Sequence, residues 1–176
     1  MSSFLGAFTS FAVYLIGEDS FRITAWMMGY LGGANWQKIA LLLPPLLFCM
    51  AYFYAKRHEL NIILNGDEEA KSLGLNVEKS KKSLLIVSSL IIGFSVAFTG
   101  MIGFVGLIIP HTLRMALHTA SNAVLIPARA LTGGVFLVFC DVIAKNALSP
   151  VEIPIGVVTS FFGAPFFLYL AFRKHA

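Results

Sequence analysis

Uncharged apolar runs alternate with short polar stretches along this chain. Residues 4–16 form a short apolar segment, and residues 39–55, 126–148 and 153–172 form longer ones, with Pro44-Pro45 as the one break in the first of these three. An α-helix needs about 20 apolar residues to cross a bilayer, or somewhat fewer where flanking groups adapt. The pattern therefore predicts an all-α chain of membrane-spanning helices.

The longest run, residues 83–113, contains no acidic residue, lysine or arginine. As one straight helix it would be about 46 Å long, against a hydrocarbon core of about 30 Å. A turn is cheapest at Gly100–Gly103, because glycine tolerates the backbone angles that a tight turn needs. The run is therefore predicted to form two antiparallel helices, the second over about 104–118 and kinked at Pro110.

Small residues also recur at helical spacing in two of these segments. Gly100, Gly103 and Gly106 form one series, and Gly156 and Gly163 belong to a second stripe in the last span. Small residues let membrane helices approach closely, so both series are predicted to serve turning or packing. A substrate-lining role for the first series remains open.

The distribution of lysine and arginine supports the turn independently. With the turn in place and the 56–82 loop inside, the outer side holds three basic residues, Arg22, Lys38 and Lys145. The inner side holds the other ten, which are Lys56, Arg57, Lys71, Lys79, Lys81, Lys82, Arg114, Arg129, Arg173 and Lys174. Because basic residues concentrate in cytoplasmic loops, the prediction is about six transmembrane helices with both ends cytoplasmic.

Composition agrees with a lipid environment. The 176 residues are 57% hydrophobic and 12% charged, with a mean hydropathy of +0.80. A soluble domain normally has about 25% charged residues. The net charge of +4 does not point to nucleic acid, because the basic residues lie in short clusters between apolar runs. Cys49 and Cys140 lie in apolar segments and are expected to be unpaired thiols.

A search for catalytic patterns gives no candidate. The chain has no G-x-x-x-x-G-K-[ST] phosphate loop, no H-E-x-x-H, no C-x-x-C and no G-x-S-x-G. We therefore predict no catalytic, cofactor-binding or metal-binding residues, no cofactor, and no ATP binding by the chain itself. The chain is therefore not expected to be an enzyme.

The 56–82 loop is the longest polar stretch. Its GDEEAKSLG segment, residues 66–74, is predicted to form a short helix, because acidic residues in the first turn suit the helix dipole and Gly74 suits the C-terminal end. Such a helix either caps the bundle or fits a groove on a cytoplasmic partner, and physical reasoning alone leaves both open.

Asp141 and Lys145 lie four residues apart and therefore share one helix face. Charged residues within membrane segments are costly and call for a functional hypothesis. Three roles are open: a structural ion pair near the outer end of the 126–148 helix, a docking or pathway role for Lys145, and a proton relay, which no further acid extends.

Five ordered blocks of sequence resemble one family. GMIGFVGLIIPHTLRM, LIPARALTGGVFLVFCDVIAK and EIPIGVVTSFFGAPFFLYL are similar to the C-terminal half of FecCD-type (BtuC-like) permeases, as are AWMMGYLGGANW and LNIILNGDEEAKSLGLNV upstream. These are the membrane subunits of ATP-binding-cassette (ABC) importers for iron–siderophores, haem and cobalamin. The resemblance implies one membrane domain over residues 1–176, matching the last six spans of a ten-span permease. The chain would then be a fragment, a truncated product or half of a split permease.

The resemblance also implies roles for particular residues. The 56–82 loop would be the cytoplasmic coupling loop, and its residues Gly66, Asp67, Glu68, Ala70, Leu73 and Gly74 would contact the ATPase subunit. Residues 18–29 would form a short outer helix beside the pathway. Lys145 would dock the substrate-binding protein, although arginine is more usual there and lysine cannot make a planar bidentate pair.

The implied function is that of a permease subunit in the cell (inner) membrane. It would translocate an iron–siderophore, haem or cobalamin-type chelate using ATP hydrolysed by a partner. The expected partners are an ABC ATPase, an extracytoplasmic substrate-binding protein, and either a second permease copy or a missing N-terminal half. Two alternatives stay open: a self-contained small carrier or channel, and a remnant that inserts but does not transport.

Overall fold

A computed structural model describes residues 2–16, 20–149 and 151–173. In these three ranges the chain is helical and contains no β-strand, which confirms the predicted all-α class. The helices are α1 (Ser2–Ile16), α2 (Ser20–Met27), α3 (Trp36–Ala55), α4 (Arg57–Leu64), α5 (Asp67–Ser72), α6 (Val77–Thr99), α7 (Val105–Leu117), α8 (Asn122–Asn146) and α9 (Ile155–Arg173).

Six of these helices correspond to the predicted membrane segments. Within the described ranges, α3, α6 and α8 are long and apolar enough to cross a membrane, while α7, α9 and much of α1 are shorter apolar helices. The short outer helix expected over residues 18–29 is α2, although Glu18 and Asp19 lie outside the described residues.

Two of these helices extend past the limits of the apolar runs. The Pro44-Pro45 pair does not break α3, which is continuous through both prolines. In a membrane, neighbouring groups and small local adjustments can accommodate the hydrogen bonds that proline removes. Helix α6 begins at Val77 rather than near residue 83, because the side chain of Asn76 accepts a hydrogen bond from the backbone of Lys79 and caps it.

The chain reverses direction between α6 and α7, as the length of the apolar run predicts. Helix α6 ends at Thr99 and is followed by Gly100, which has φ 70°, and α7 begins at Val105. The start of α6 is bonded to α4 through Ser80, and its end is bonded to Tyr30 through the carbonyl of Thr99. Two ends of the bundle result: the α4–α5 end, and the opposite end, which contains residues 28–35, 100–104 and 151–155.

The helices pack in a partial bundle. Helix α3 packs on α6 and α8, α7 packs on α8 and α9, and α4 packs on α8. A small apolar core at the opposite end contains Cys140, Ala144, Ile155 and Val158. Both cysteines are buried and unpaired. Most of the surface of the three long helices faces outward and is apolar, so lipid or further protein must cover it.

Candidate functional site

The α4–α5 segment, residues 57–74, is shaped by two glycines. Gly66 separates the two helices with φ 126° and ψ 151°, a combination essentially restricted to glycine. Gly74 ends α5 at φ 82°, where its N–H donates to the Lys71 carbonyl and the N–H of Leu75 donates to the Ala70 carbonyl. These two bonds form a Schellman motif, which explains why the sequence places glycine there.

Three polar contacts fasten this segment to the long helices. Lys81 of α6 donates to both carboxylate oxygens of Asp67, 2.7 Å from Oδ1. Ser80 of α6 donates to Glu59 at 2.8 Å.

On the α8 side, the backbone N–H of Asn122 and its side-chain Nδ2 both donate to the side-chain oxygen of Asn61, at 3.0 and 2.8 Å. Together with the α6 contacts, these bonds mean that a displacement of the α4–α5 segment would pull on both α6 and α8.

Glu59 is the most constrained ionisable group in the segment. The Lys56 ammonium donates a hydrogen bond to it and holds the pKa of the Glu59 carboxyl below its usual range. Partial burial opposes this lowering, and the hydroxyl of Ser80 adds to it. The carboxylate is therefore favoured in its ionised form, as an acceptor for two donors.

The exposed surface of the segment is narrower than predicted. The side chain of Glu68 is 93% exposed, and Leu73 and Leu64 are also exposed although apolar. Ala70 was expected to contact the partner, but its side chain is 0% exposed because α5 directs it into the interior of the chain. It can therefore position α5 but not contact a partner. Asp67 is partly occupied by Lys81.

At the opposite end, glycines stand where backbone segments cross. A Cβ at Gly100 would overlap the carbonyl oxygen of Trp26, and one at Gly156 would overlap that of Met28. A Cβ at Gly29, which has φ 78°, would lie 2.8 Å from the carbonyl oxygen of Met101. These contacts place α2, the turn after α6 and the start of α9 against one another.

Among the remaining glycines of the two series, Gly163 is closely packed and Gly103 and Gly106 are not. A Cβ at Gly163 would overlap the ring of Phe104, a residue held at φ 66°. A Cβ at Gly103 or Gly106 would meet no heavy atom within 4 Å in the described part of the chain. The close packing expected at Gly103 and Gly106 is thus not seen within the chain, because their side of the turn is open. Pro110 lies inside α7, which continues through it.

Two polar pairs lie at this same end. Lys145 donates to Asp141 at 2.6 Å, with 43% of the lysine side chain exposed. Tyr30 donates a hydrogen bond to Glu152 at 2.7 Å. This bond stabilises the neutral hydroxyl and therefore raises the pKa of Tyr30. Sequence reasoning missed the second pair because its partners lie 122 positions apart. In the described ranges, no three His, Cys, Asp or Glu side chains lie together so as to hold a metal ion.

The sequence of the chain is similar to those of known transport permeases. The cobalamin import permease BtuC of Halobacterium salinarum is 41% identical over 170 residues, covering 97% of this chain and 45% of that protein. The hemin transport permease HmuU of Yersinia pestis is 36% identical over 179 residues, covering 99% and 52%.

A solved structure, described as an inward-facing conformation of a metal-chelate type ABC transporter, superposes with a TM-score of 0.86. It is 32% identical and covers 98% of this chain and 56% of the solved one. The chain thus spans about half the length of these relatives. Residues 1–173 match the FecCD transport family, and the chain belongs to that family of membrane transporter subunits.

Proposed function

We propose that the chain is part of the permease of an ABC importer that moves a chelated metal or corrinoid across the cell membrane. The relatives named for cobalamin and hemin transport support this substrate class. ATP would be hydrolysed by a partner subunit. Because the chain spans about half of those relatives, a second permease chain, either another copy or an N-terminal half, would complete the pathway.

The observation that carries this proposal is the α4–α5 segment. It offers Glu68, Leu73 and Leu64 to a partner, while its other side is bonded to α6 and α8. An ATPase that binds this surface differently in its nucleotide states would move the segment, and α6 and α8 would move with it because they are bonded to it. The partner must bind the two states with different affinity, or ATP could not shift the permease between them.

The opposite end would receive the substrate-binding protein. Lys145 has a partly exposed side chain that is bonded to Asp141. Its ammonium group would bind an acidic side chain on that protein and keep the bond to Asp141. Such a rim charge mainly steers association and fixes orientation, so docking through it would be sensitive to salt.

This proposal implies an orientation of the chain in the membrane. The α4–α5 end would face the cytoplasm, with Arg114 and Arg129 of α7 and α8 on the same side. The opposite end, with Lys38 and Lys145, would face outward. Both termini of the chain would then be cytoplasmic.

Co-purification tests the proposal. The tagged chain is expressed with its cognate ATPase, and the ATPase recovered per permease is compared for Leu73→Asp and for Leu148→Asp. Both leucines are similarly exposed, but Leu148 lies at the opposite end. We expect Leu73→Asp to lose most of the ATPase and Leu148→Asp to keep it. No recovery with the unmodified chain, as for a self-contained carrier, or equal recovery with both variants would contradict the proposal.

A further inference from the structure

A cleft at the opposite end joins a chamber that contains several polar side chains to an apolar groove. The chamber, of about 610 Å³, is lined by Trp26, Tyr30, Lys38 and Glu152 among others. The groove, of about 240 Å³, continues along the face of α3 formed by Leu42, Leu43 and Leu46 and is closed on the other side by Phe98 of α6. Tyr30, Gly33, Lys38 and Phe98 line both cavities, so the two form one amphiphilic site.

Two adjacent glycines lie beside the polar groups of the chamber, and Gly33 lines it. A Cβ at Gly32 would overlap the hydroxyl of Tyr30 and lie 2.7 Å from Oε2 of Glu152, and a Cβ at Gly33 would lie 3.2 Å from Nζ of Lys38. The carboxylate of Glu152 and the ammonium of Lys38 therefore lie next to two adjacent residues, whose Cα atoms are about 3.8 Å apart. Glycine at both positions leaves room for the two side chains.

Lys38 and Glu152 form no direct ion pair with each other. Within the described ranges the ion pairs are Lys56–Glu59, Lys71–Glu68, Lys81–Asp67 and Lys145–Asp141, and neither Lys38 nor Glu152 belongs to one. Lys38 donates to the Gly33 carbonyl at 2.7 Å, which leaves two of its three N–H groups. Glu152 accepts from Tyr30 through Oε2, which leaves Oε1. A ligand with one negative and one positive group could use both.

We infer that this cleft binds a phospholipid whose headgroup carries a phosphate and a primary ammonium, as in phosphatidylethanolamine. The phosphate would accept from Lys38, the ammonium would donate to Glu152, and an acyl chain would lie in the α3–α6 groove. Trp26 and Tyr30 line the chamber, and such aromatic side chains favour the headgroup level of a bilayer. The site requires only that the chain lies in a membrane.

The size of the groove favours an acyl chain over a protein helix. A helix with its side chains is about 10 Å across, whereas this groove of about 240 Å³ is lined on the α3 side by three leucines and Ile39. An acyl chain is far thinner and can follow the line of leucines on α3. The apolar lining and the unpaired charges are thus met together by one lipid molecule.

Lipid retention tests the inference. The full chain is reconstituted in nanodiscs with equal phosphatidylethanolamine and phosphatidylglycerol, extracted in mild detergent, and its retained lipid is quantified by mass spectrometry. We expect selective retention of phosphatidylethanolamine. In parallel nanodiscs where phosphatidylcholine replaces phosphatidylethanolamine, we expect weaker retention, because its quaternary ammonium has no N–H to donate. Lys38→Gln and Glu152→Gln should each lower retention about tenfold, because each removes a charge-assisted hydrogen bond.

Three further variants separate binding from folding. Lys38→Arg should restore retention, and Leu43→Trp should lower it by filling the groove while leaving both charges in place. Lys71→Gln, at the other end, should change nothing. Equal retention of the two lipids by the unmodified chain, or unchanged retention in both Gln variants, would overturn the inference. So would phosphatidylethanolamine bound to the isolated chain but absent from the assembled permease, because a protein helix would then cover the groove.

Discussion

Replacing Gly100 with alanine should destabilise the protein more than any other single methyl added to the GMIGFVG segment. Gly100 adopts φ 70° and ψ −168°, a region that costs a residue with a side chain about 1–3 kcal/mol. The new Cβ would also overlap the carbonyl oxygen of Trp26, which is backbone and cannot rotate away. Overpacking of this kind costs about 1–3 kcal/mol. The expected loss is therefore about 2–6 kcal/mol.

The neighbouring glycines provide matched controls. Gly103→Ala and Gly106→Ala add the same methyl group to open space and to backbones outside the left-handed region. Gly106 lies within α7, where alanine is favoured over glycine by about 0.5–1 kcal/mol, so its variant should be neutral or slightly more stable.

Reversible unfolding of the purified chain in mixed micelles with increasing sodium dodecyl sulfate, followed by circular dichroism, would measure these differences. A Gly100→Ala variant within about 1 kcal/mol of the Gly103→Ala variant would refute the steric reasoning, because that reasoning assigns the two a difference of at least about 2 kcal/mol.

Three other perturbations have expected outcomes. Asn61→Ala removes the acceptor of two hydrogen bonds from Asn122, which is 6% exposed, and should cost about 1–3 kcal/mol in the same unfolding assay, whereas Asn65→Ala at an exposed helix end should cost less. Because the pKa of Glu59 is lowered in the folded state, its ionised carboxylate stabilises the fold above the unfolded pKa, and this stabilisation is lost as pH falls through the folded pKa. Unfolding midpoints measured at decreasing pH should show this loss in the unmodified chain and less of it in Glu59→Gln. Lys145→Glu should weaken binding of the substrate-binding protein by about tenfold at low salt and much less at high salt, and equal affinity at low salt would contradict a docking role.

Features governed by length and composition were predictable from the sequence. The reversal near Gly100 follows from an uncharged run too long for one span, and the basic residues place Arg114 and Arg129 at the end that the structure gives them. Gly74 could be identified as a helix stop because its role depends on local bonds, from Gly74 to Lys71 and from Leu75 to Ala70.

Features governed by distant contacts were not predictable. The bond between Asn61 and Asn122 joins positions 61 apart, and nothing local marks either asparagine as a partner. The local sequence pattern predicted only the helix at residues 66–74, whereas the resemblance implied coupling helices from Leu60 to Gly74, a range that includes the second half of α4. The glycines of one motif also divide, because Gly100 meets a crossing backbone and Gly103 does not. Periodicity alone cannot show which small residue has a neighbour.

Sidedness is the most direct test of the account, in which the α4–α5 segment faces the cytoplasm for an ATPase to grip. Single cysteines at Glu68, Arg173 and Trp36 would be labelled with a membrane-impermeant thiol reagent in sealed right-side-out vesicles, in a chain whose Cys49 and Cys140 are replaced by alanine. We predict that the Trp36 position is labelled at once and that the Glu68 and Arg173 positions react only after the vesicles are opened. Labelling of Glu68 and Arg173 from opposite sides of the membrane would contradict the account.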